Sequence, residues 1–329
     1  MTVLAPTIEA FFTERLITQR QVSSRTVAAY RDTLRMLLTF AADRTGRAPS
    51  QLDVNDIDAV LVGEFLTHLE RDRHNSARTR NTRLAAIRSL FRYAAYRHPE
   101  HAQIIQRVLA IPSKRHGERE LDYLDAAEVD ALLAAPDRTT WIGRRDHMLL
   151  VLGVQTGLRV SELTAVTNAD IELGFGAHVH CHGKGRKDRT TPLTRQTVGL
   201  LREWMIERAG EPADPLFPTS RGRVLSVDAV QWLVAKHAHL ASRSQPSLAN
   251  KTVSPHVLRH TCAMNLLDAG VDLAVIALWL GHESTQTTQI YLHANMALKE
   301  KALARTAPVN TSRRRYRPPD QLLAFLNAL

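Results

Sequence analysis

Between Ile111 and Gly117 the chain reads Ile-Pro-Ser-Lys-Arg-His-Gly, with a proline, a glycine and basic residues but no apolar periodicity. Such a run cannot bury a face, so the apolar patterns on either side must build separate cores. The 329 residues also exceed what one core usually holds. The expected organisation is a helical unit over 1–111, a linker over 112–122, a second unit over 123–310 and a tail over 311–329.

The first unit reads as helical throughout. Val27, Tyr30, Leu34, Leu37 and Leu38 recur at helical spacing within Thr26–Phe40, with Ser23 or Ser24 as the cap. Gly46–Ser50 interrupts the pattern, and Ile57, Val60, Leu61, Phe65 and Leu69 resume it over Asp56–Glu70. A further helix spans Ser76–Arg97, and from Arg73 to Pro99 every ionic residue is arginine. Solvated faces normally mix signs, because like charges repel at helical spacing. A helix of one sign predicts phosphate contacts from Arg78, Arg80, Arg83, Arg88 and Arg92.

In the second unit Asp125 and Glu128 form a capping-box pair at a helix start. Arg144–Gln155 reads as a buried helix that Gly157 ends. Two short strands, 177–182 and 190–193, flank the turn Gly183-Lys184-Gly185. Helices follow over 193–208, 227–241, 255–269 and 273–279, the last closed by Gly281. The fold class is mainly α with a small β-sheet (α+β).

A formal charge of +10 and a pI near 10.0 favour a polyanionic partner, nucleic acid above all. Cys181 and Cys262 are the only cysteines, too few for a disulfide framework, which suits a reducing compartment. No apolar stretch approaches a membrane span, and Met1–Phe12 lacks the features of a signal peptide. The expectation is a cytoplasmic protein, at the nucleoid if DNA is the partner, with no membrane association.

The residues that carry chemistry lie in order along the second unit. Arg159 follows Gly157 in Thr-Gly-Leu-Arg-Val-Ser-Glu-Leu and could instead be a structural partner of Glu162. His256 and Arg259 are three apart on one helix face, behind the cap Ser254 and the first-turn Pro255. A helix N-terminus also favours an anion. His282 follows Leu280-Gly281, and Tyr291 follows the polar run Glu283–Gln289. A tyrosine hydroxyl can attack phosphorus but, with an ordinary pKa of about 10, it needs assistance. Arginine forks neutralise charge that grows on phosphate oxygens, and histidines move protons near neutral pH. His260 and Cys262 read as packing residues.

Taken together, these segments resemble the catalytic domain of the tyrosine recombinases, the phage-integrase-type site-specific recombinases. The specific motifs cover Leu121 to Ala307, and the N-terminal part matches in architecture as a SAM-like DNA-clamping domain. The resemblance implies Tyr291 as nucleophile and Arg159 and Arg259 as clamps on the scissile phosphate. It implies His256 as the proton-handling group, and His282 as a hydrogen-bond donor to a phosphate oxygen. It also implies Lys184, rather than the competing Lys187, as the acid that protonates the leaving 5′-oxygen. No cofactor and no metal are implied. The partners implied are double-stranded DNA with specific recombination sites and further copies of the chain in a tetramer. Integration, dimer resolution and transposition by a mobile element are all compatible with it. A type IB-like topoisomerase and a non-catalytic DNA-binding regulator are the alternatives.

Two features stand outside this set. His178, His180 and His182 alternate onto one strand face and invite a metal reading. Burial of Val179 and Cys181 explains the alternation equally well, and the cationic turn beside it disfavours a cation. At the C-terminus, Met296–Arg305 reads as helical, the basic hinge Arg313–Arg317 precedes Pro318-Pro319, and Leu322, Leu323, Leu326 and Leu329 line one side of a short helix. Too short to be stable alone, that helix must dock either on its own domain or, as the resemblance favours, on a neighbouring copy.

Overall fold

In the computed structural model the described residues are 4–115, 117, 121–182, 188–282, 288 and 291. The chain divides into two compact units, Met1–Arg119 and Glu120–Leu329.

The first unit is helical. Helix α1 (Ala5–Ala10) widens into a π-helical segment over Phe11–Gln19, followed by α2 (Ser24–Thr45), α3 (Ala59–Arg71), α4 (Ala77–Arg97) and α5 (Ala102–Ala110). The side chains of Ser23, Asp58 and Ser76 accept the backbone N–H groups of Thr26, Leu61 and Thr79, so each helix starts where a cap is available. Helix α2 runs past Phe40 to Thr45, because Gly46, at φ 69°, is the first residue able to turn left-handed and stop it. Helix α3 starts later than the periodicity predicts: Asp53 and Asp56 close a short 3-10 turn of their own over Val54–Asp56. Phe11, Leu34, Leu37, Phe65, Leu84 and Phe91 lie in the core that the helices enclose.

The second unit contains α6 (Ala126–Ala134), α7 (Trp141–Thr156), α8 (Val160–Ala165), strands β1 (Ile171–Glu172), β2 (His178–His182) and β3 (Asp188–Pro192), then α9 (Arg195–Arg208), α10 (Val227–Ala241), α11 (Pro255–Asp268) and α12 (Leu273–Leu280). Helix α7 is the central element: Met148, Leu149, Leu150 and Leu152 are buried, and α6, α9 and α11 pack around it. A buried polar network ties it to α10. Asp146 Oδ1 accepts from Arg145, and Asp146 Oδ2 lies 2.9 Å from His237 Nε2. The sheet is antiparallel in the order β1-β2-β3, with Cys181 opposite Arg189 and His182 opposite Asp188. Strand β1 went unforeseen because two residues are too few to display an alternation. Among the described residues no helix is long and apolar enough to cross a membrane.

Candidate active site

Two helix C-termini frame the site. Helix α7 ends on Gly157 (φ 63°) and α12 on Gly281 (φ 65°), and both glycines take the left-handed conformation that exposes terminal carbonyls. At Gly157 a Cβ would also lie 2.7 Å from Leu280 Cδ2, so this position has no room for a side chain. The exposed carbonyls carry the negative ends of the two helix dipoles, and arginines occupy them. Arg259, from the second turn of α11, donates from Nη1 to Gly157 O at 2.7 Å and from Nη2 to Leu280 O at 2.7 Å. Arg159, the residue before α8, donates from Nη2 to Gly281 O at 2.8 Å. Both guanidinium groups keep further N–H groups beyond these bonds.

Glu162 completes the frame. Its carboxylate accepts from Arg159 Nη1 at 2.9 Å and from Arg189 Nη1 and Nη2 at 3.0 and 2.8 Å. Arg189, from β3, also donates from Nε to Trp279 O at 3.1 Å. Burial alone would raise the Glu162 carboxyl, but the hydrogen bonds from Arg189 and Arg159 hold it at about 2. Arg159 and Arg189 therefore share one carboxylate, whose charge also reaches Arg259. Burial, reinforced by Arg159 and Arg189, lowers Arg259 to about 10, which still leaves it charged at neutral pH. The site is short of negative charge, and a phosphate diester would supply it.

Tyr291 and two histidines lie beside Arg259. Tyr291 is 1% exposed, and its hydroxyl shares a 3.1 Å hydrogen bond with His260 Nδ1. Burial pushes the tyrosine up to about 12, partly opposed by Arg259. His260 is lowered to about 4 by burial and then by His256, whose ring centroid is 4.2 Å away. His282 lies with its ring nearly parallel to that of Tyr291, centroids 6.3 Å apart, and its Nδ1 is 2.8 Å from Thr288 Oγ1. Burial and the surrounding arginines lower it to about 4 as well. At neutral pH both rings are thus uncharged, and the tyrosine is protonated.

Of the residues expected from sequence, Arg159, Arg259, His282 and Tyr291 meet here, and His256 stands exposed at the first turn of α11 against His260. Lys184 and Lys187 lie outside the described residues, as do the helix expected over 296–305, the hinge and the terminal helix. Three residues went unread. In the sequence Glu162 reads only as a partner of Arg159, Arg189 is hidden in a basic run, and His260 reads as packing although it touches the tyrosine hydroxyl. The pairing of Arg189 with Glu162 spans 27 residues, beyond the reach of local spacing.

The arginines of α4 divide differently from the reading of one phosphate-tracking helix. Arg80 is 7% exposed and donates to Pro112 O at 2.9 Å. Arg83 donates to Thr33 Oγ1 at 2.9 Å, and Arg88 to Ile111 O, just beyond α5. These three serve the fold of the first unit. Arg78 and Arg92 are exposed.

The model of the phage integrase family matches residues 122–297, and that of the phage integrase N-terminal SAM-like domain matches residues 9–98. The protein y4rC of Sinorhizobium fredii, named as an integrase/recombinase, is 55% identical over 99% of this chain and 98% of its own length. Tyrosine recombinase XerC of Pelobacter propionicus is 34% identical over 87% of this chain and 90% of its own. Among solved structures, XerH site-specific recombinase bound to a palindromic difH substrate superposes with a TM-score of 0.70 at 25% identity, covering 87% of this chain and 81% of that one. The fold and the site define a tyrosine-type site-specific DNA recombinase. The chain belongs to the phage integrase family.

Proposed function

We propose that Tyr291 is the nucleophile in a strand-transfer reaction on double-stranded DNA, forming a 3′-phosphotyrosyl bond and releasing a 5′-hydroxyl. The observation that carries this reading is the convergence of Arg259 with the Arg159–Glu162–Arg189 network, and the Tyr291 hydroxyl, bonded to His260, near those arginines. Arg159 and Arg259 hold the two non-bridging oxygens and stabilise the charge that grows on them, while Arg189 holds Glu162, and through it Arg159, in place. An incoming phosphate is the anion the site lacks, and burial makes its pairing with the arginines stronger than it would be in water.

Proton transfer falls to the histidines and to the hairpin lysine. His256 and His260 form a ring pair that leads from the surface to the tyrosine hydroxyl, and an uncharged His260 can accept the phenolic proton as the phosphorus–oxygen bond forms. His282 donates to a phosphate oxygen. Lys184, between β2 and β3 in the sequence, protonates the leaving 5′-oxygen. Atoms balance without a cofactor: the tyrosyl oxygen replaces the 5′-oxygen on phosphorus, and the phosphodiester energy is kept for rejoining. Repeating the step on two recombination sites in a tetramer, through a Holliday junction, exchanges strands and supports integration or the movement of a mobile element. The first unit clamps the duplex through exposed arginines, in keeping with the charge of +10. A nicked duplex that loses a short 5′-hydroxyl fragment on cleavage, incubated with protein in EDTA, tests the reaction. A covalent adduct is expected with the native chain and not with Tyr291→Phe; an adduct of equal yield with Tyr291→Phe refutes the assignment.

A further inference from the structure

We propose that His180, His182 and Asp188 form a binding site for a divalent transition-metal ion at the base of the β2–β3 hairpin. The sequence offers histidines on one face of β2; the fold adds a carboxylate from β3. His182 and Asp188 are directly opposed across the strands, and His180 is the next residue on the same face. One donor atom from each of the three lies within 4.8 Å of the others. His182 Nδ1 is 3.2 Å from Asp188 Oδ1, His180 Nε2 is 3.7 Å from Asp188 Oδ2, and the two imidazole centroids are 4.7 Å apart. Small side-chain rotations bring such a set to the metal–ligand distances of zinc, about 2.0–2.2 Å for nitrogen and oxygen.

A fourth residue orients the set. Asp170 Oδ1 lies 3.3 Å from His182 Nε2, and Asp170 Oδ2 is held by the backbone N–H and the hydroxyl of Thr167, each at 2.8 Å. The Asp170 side chain is only 12% exposed, so its position is fixed by the fold. It favours the tautomer with hydrogen on Nε2, which turns the Nδ1 lone pair of His182 toward Asp188. A carboxylate behind a ligating histidine is the arrangement that raises ligand basicity in metal sites. Two imidazoles and a carboxylate suit zinc, nickel or copper, whereas magnesium and calcium prefer all-oxygen sets. The thiol of Cys181 faces the buried side of the sheet and takes no part.

The cationic surroundings do not oppose this as strongly as the sequence suggests. Arg189 points to the other side of the sheet, where Glu162 neutralises it. Asp170 and Asp188 place two carboxylates beside the imidazoles. A bound ion would link the two strands just where they bracket residues 183–187, and so would hold the hairpin together independently of the reaction proposed above.

The test titrates the full chain with Zn²⁺ alone, in metal-free buffer, against a colorimetric zinc indicator, and follows amide hydrogen exchange. Expected are one bound equivalent, slower exchange across β2 and β3, and no competition from Mg²⁺. His182→Ala and Asp188→Asn should each weaken binding at least about tenfold, and Asp170→Asn should weaken it by about 10- to 100-fold through the orienting bond. His182 and Asp188 lie on the sheet face away from the core, and a thermal unfolding scan of every variant, Asp170→Asn included, confirms that it folds. Absence of zinc binding by the native chain overturns the proposal. So does binding that His182→Ala and Asp188→Asn leave unchanged, since the ion would then sit elsewhere.

Discussion

Arg259 holds two helix ends together and also presents charge, so its replacements separate the two roles. Arg259→Ala should lower the rate of strand cleavage by at least about a hundredfold, because a preorganised charge contact to a transition state is worth a few kcal/mol. Arg259→Lys should recover DNA binding but little of the rate, since an ammonium cannot fork between Gly157 O, Leu280 O and a phosphate. Single-turnover cleavage with excess protein measures both; a lysine variant as fast as the native chain would contradict the bidentate role. The histidines give a prediction in pH. With folded pKa values of about 4 against an ordinary 6.5, His260 and His282 stay neutral while the unfolded chain takes up protons. Their stabilising contribution is complete above pH 6.5 and is lost as pH falls toward 4, on the order of 3 kcal/mol for the 6% exposed His260. Glu162, held at about 2, loses its contribution only below its ordinary value of 4.5. Ring-proton NMR should show both histidines neutral at about pH 5.5; midpoints near the ordinary value would contradict this part of the account.

At the level of elements, caps and glycines were the most legible features. Asp125 with Glu128, Ser254, Gly157 and Gly281 all act where local sequence placed them, because a cap or a left-handed turn is decided within a few residues. Illegible were the pairings that tertiary packing makes. Arg80 reaches Pro112 across 32 residues, and no periodicity distinguishes it from Arg78 two positions earlier. Composition correctly marks α4 as unusual but cannot say which arginines the fold consumes. The two groups should respond differently. Arg80→Ala should destabilise the first unit by about 1–3 kcal/mol, because it leaves the Pro112 carbonyl unpaired beside a void. Arg78→Gln and Arg92→Gln should leave stability within about 0.5 kcal/mol and should each reduce the log–log salt slope of DNA binding by about one. Urea unfolding and salt-dependent binding isotherms measure the two effects. An unchanged slope in the double variant would place the duplex on another face of the unit.

At the scale of the whole molecule, the buried clusters of the two units are separate. The cluster around Leu34, Phe65 and Phe91 is confined to the first unit, and the one around Leu149, Leu152 and Leu258 to the second. Removing Met1–Ile111 should therefore leave a chain that folds cooperatively but binds DNA more weakly and less selectively. Loss of a cooperative thermal transition in that truncation would contradict the independence of the second core. The fold class and the family were accessible because motif order survives along a chain even where geometry is hidden. The contact of Tyr291 with His260 was not, since it depends on where α11 lies relative to a residue 31 positions later. The most direct test of the central claim is to identify the bond itself. Protein trapped on a cleaved duplex in EDTA is digested, and the peptide that carries nucleotide is sequenced by mass spectrometry. The account predicts a nucleotide joined through its 3′-phosphate to Tyr291; attachment to another residue, or through a 5′-phosphate, would contradict it.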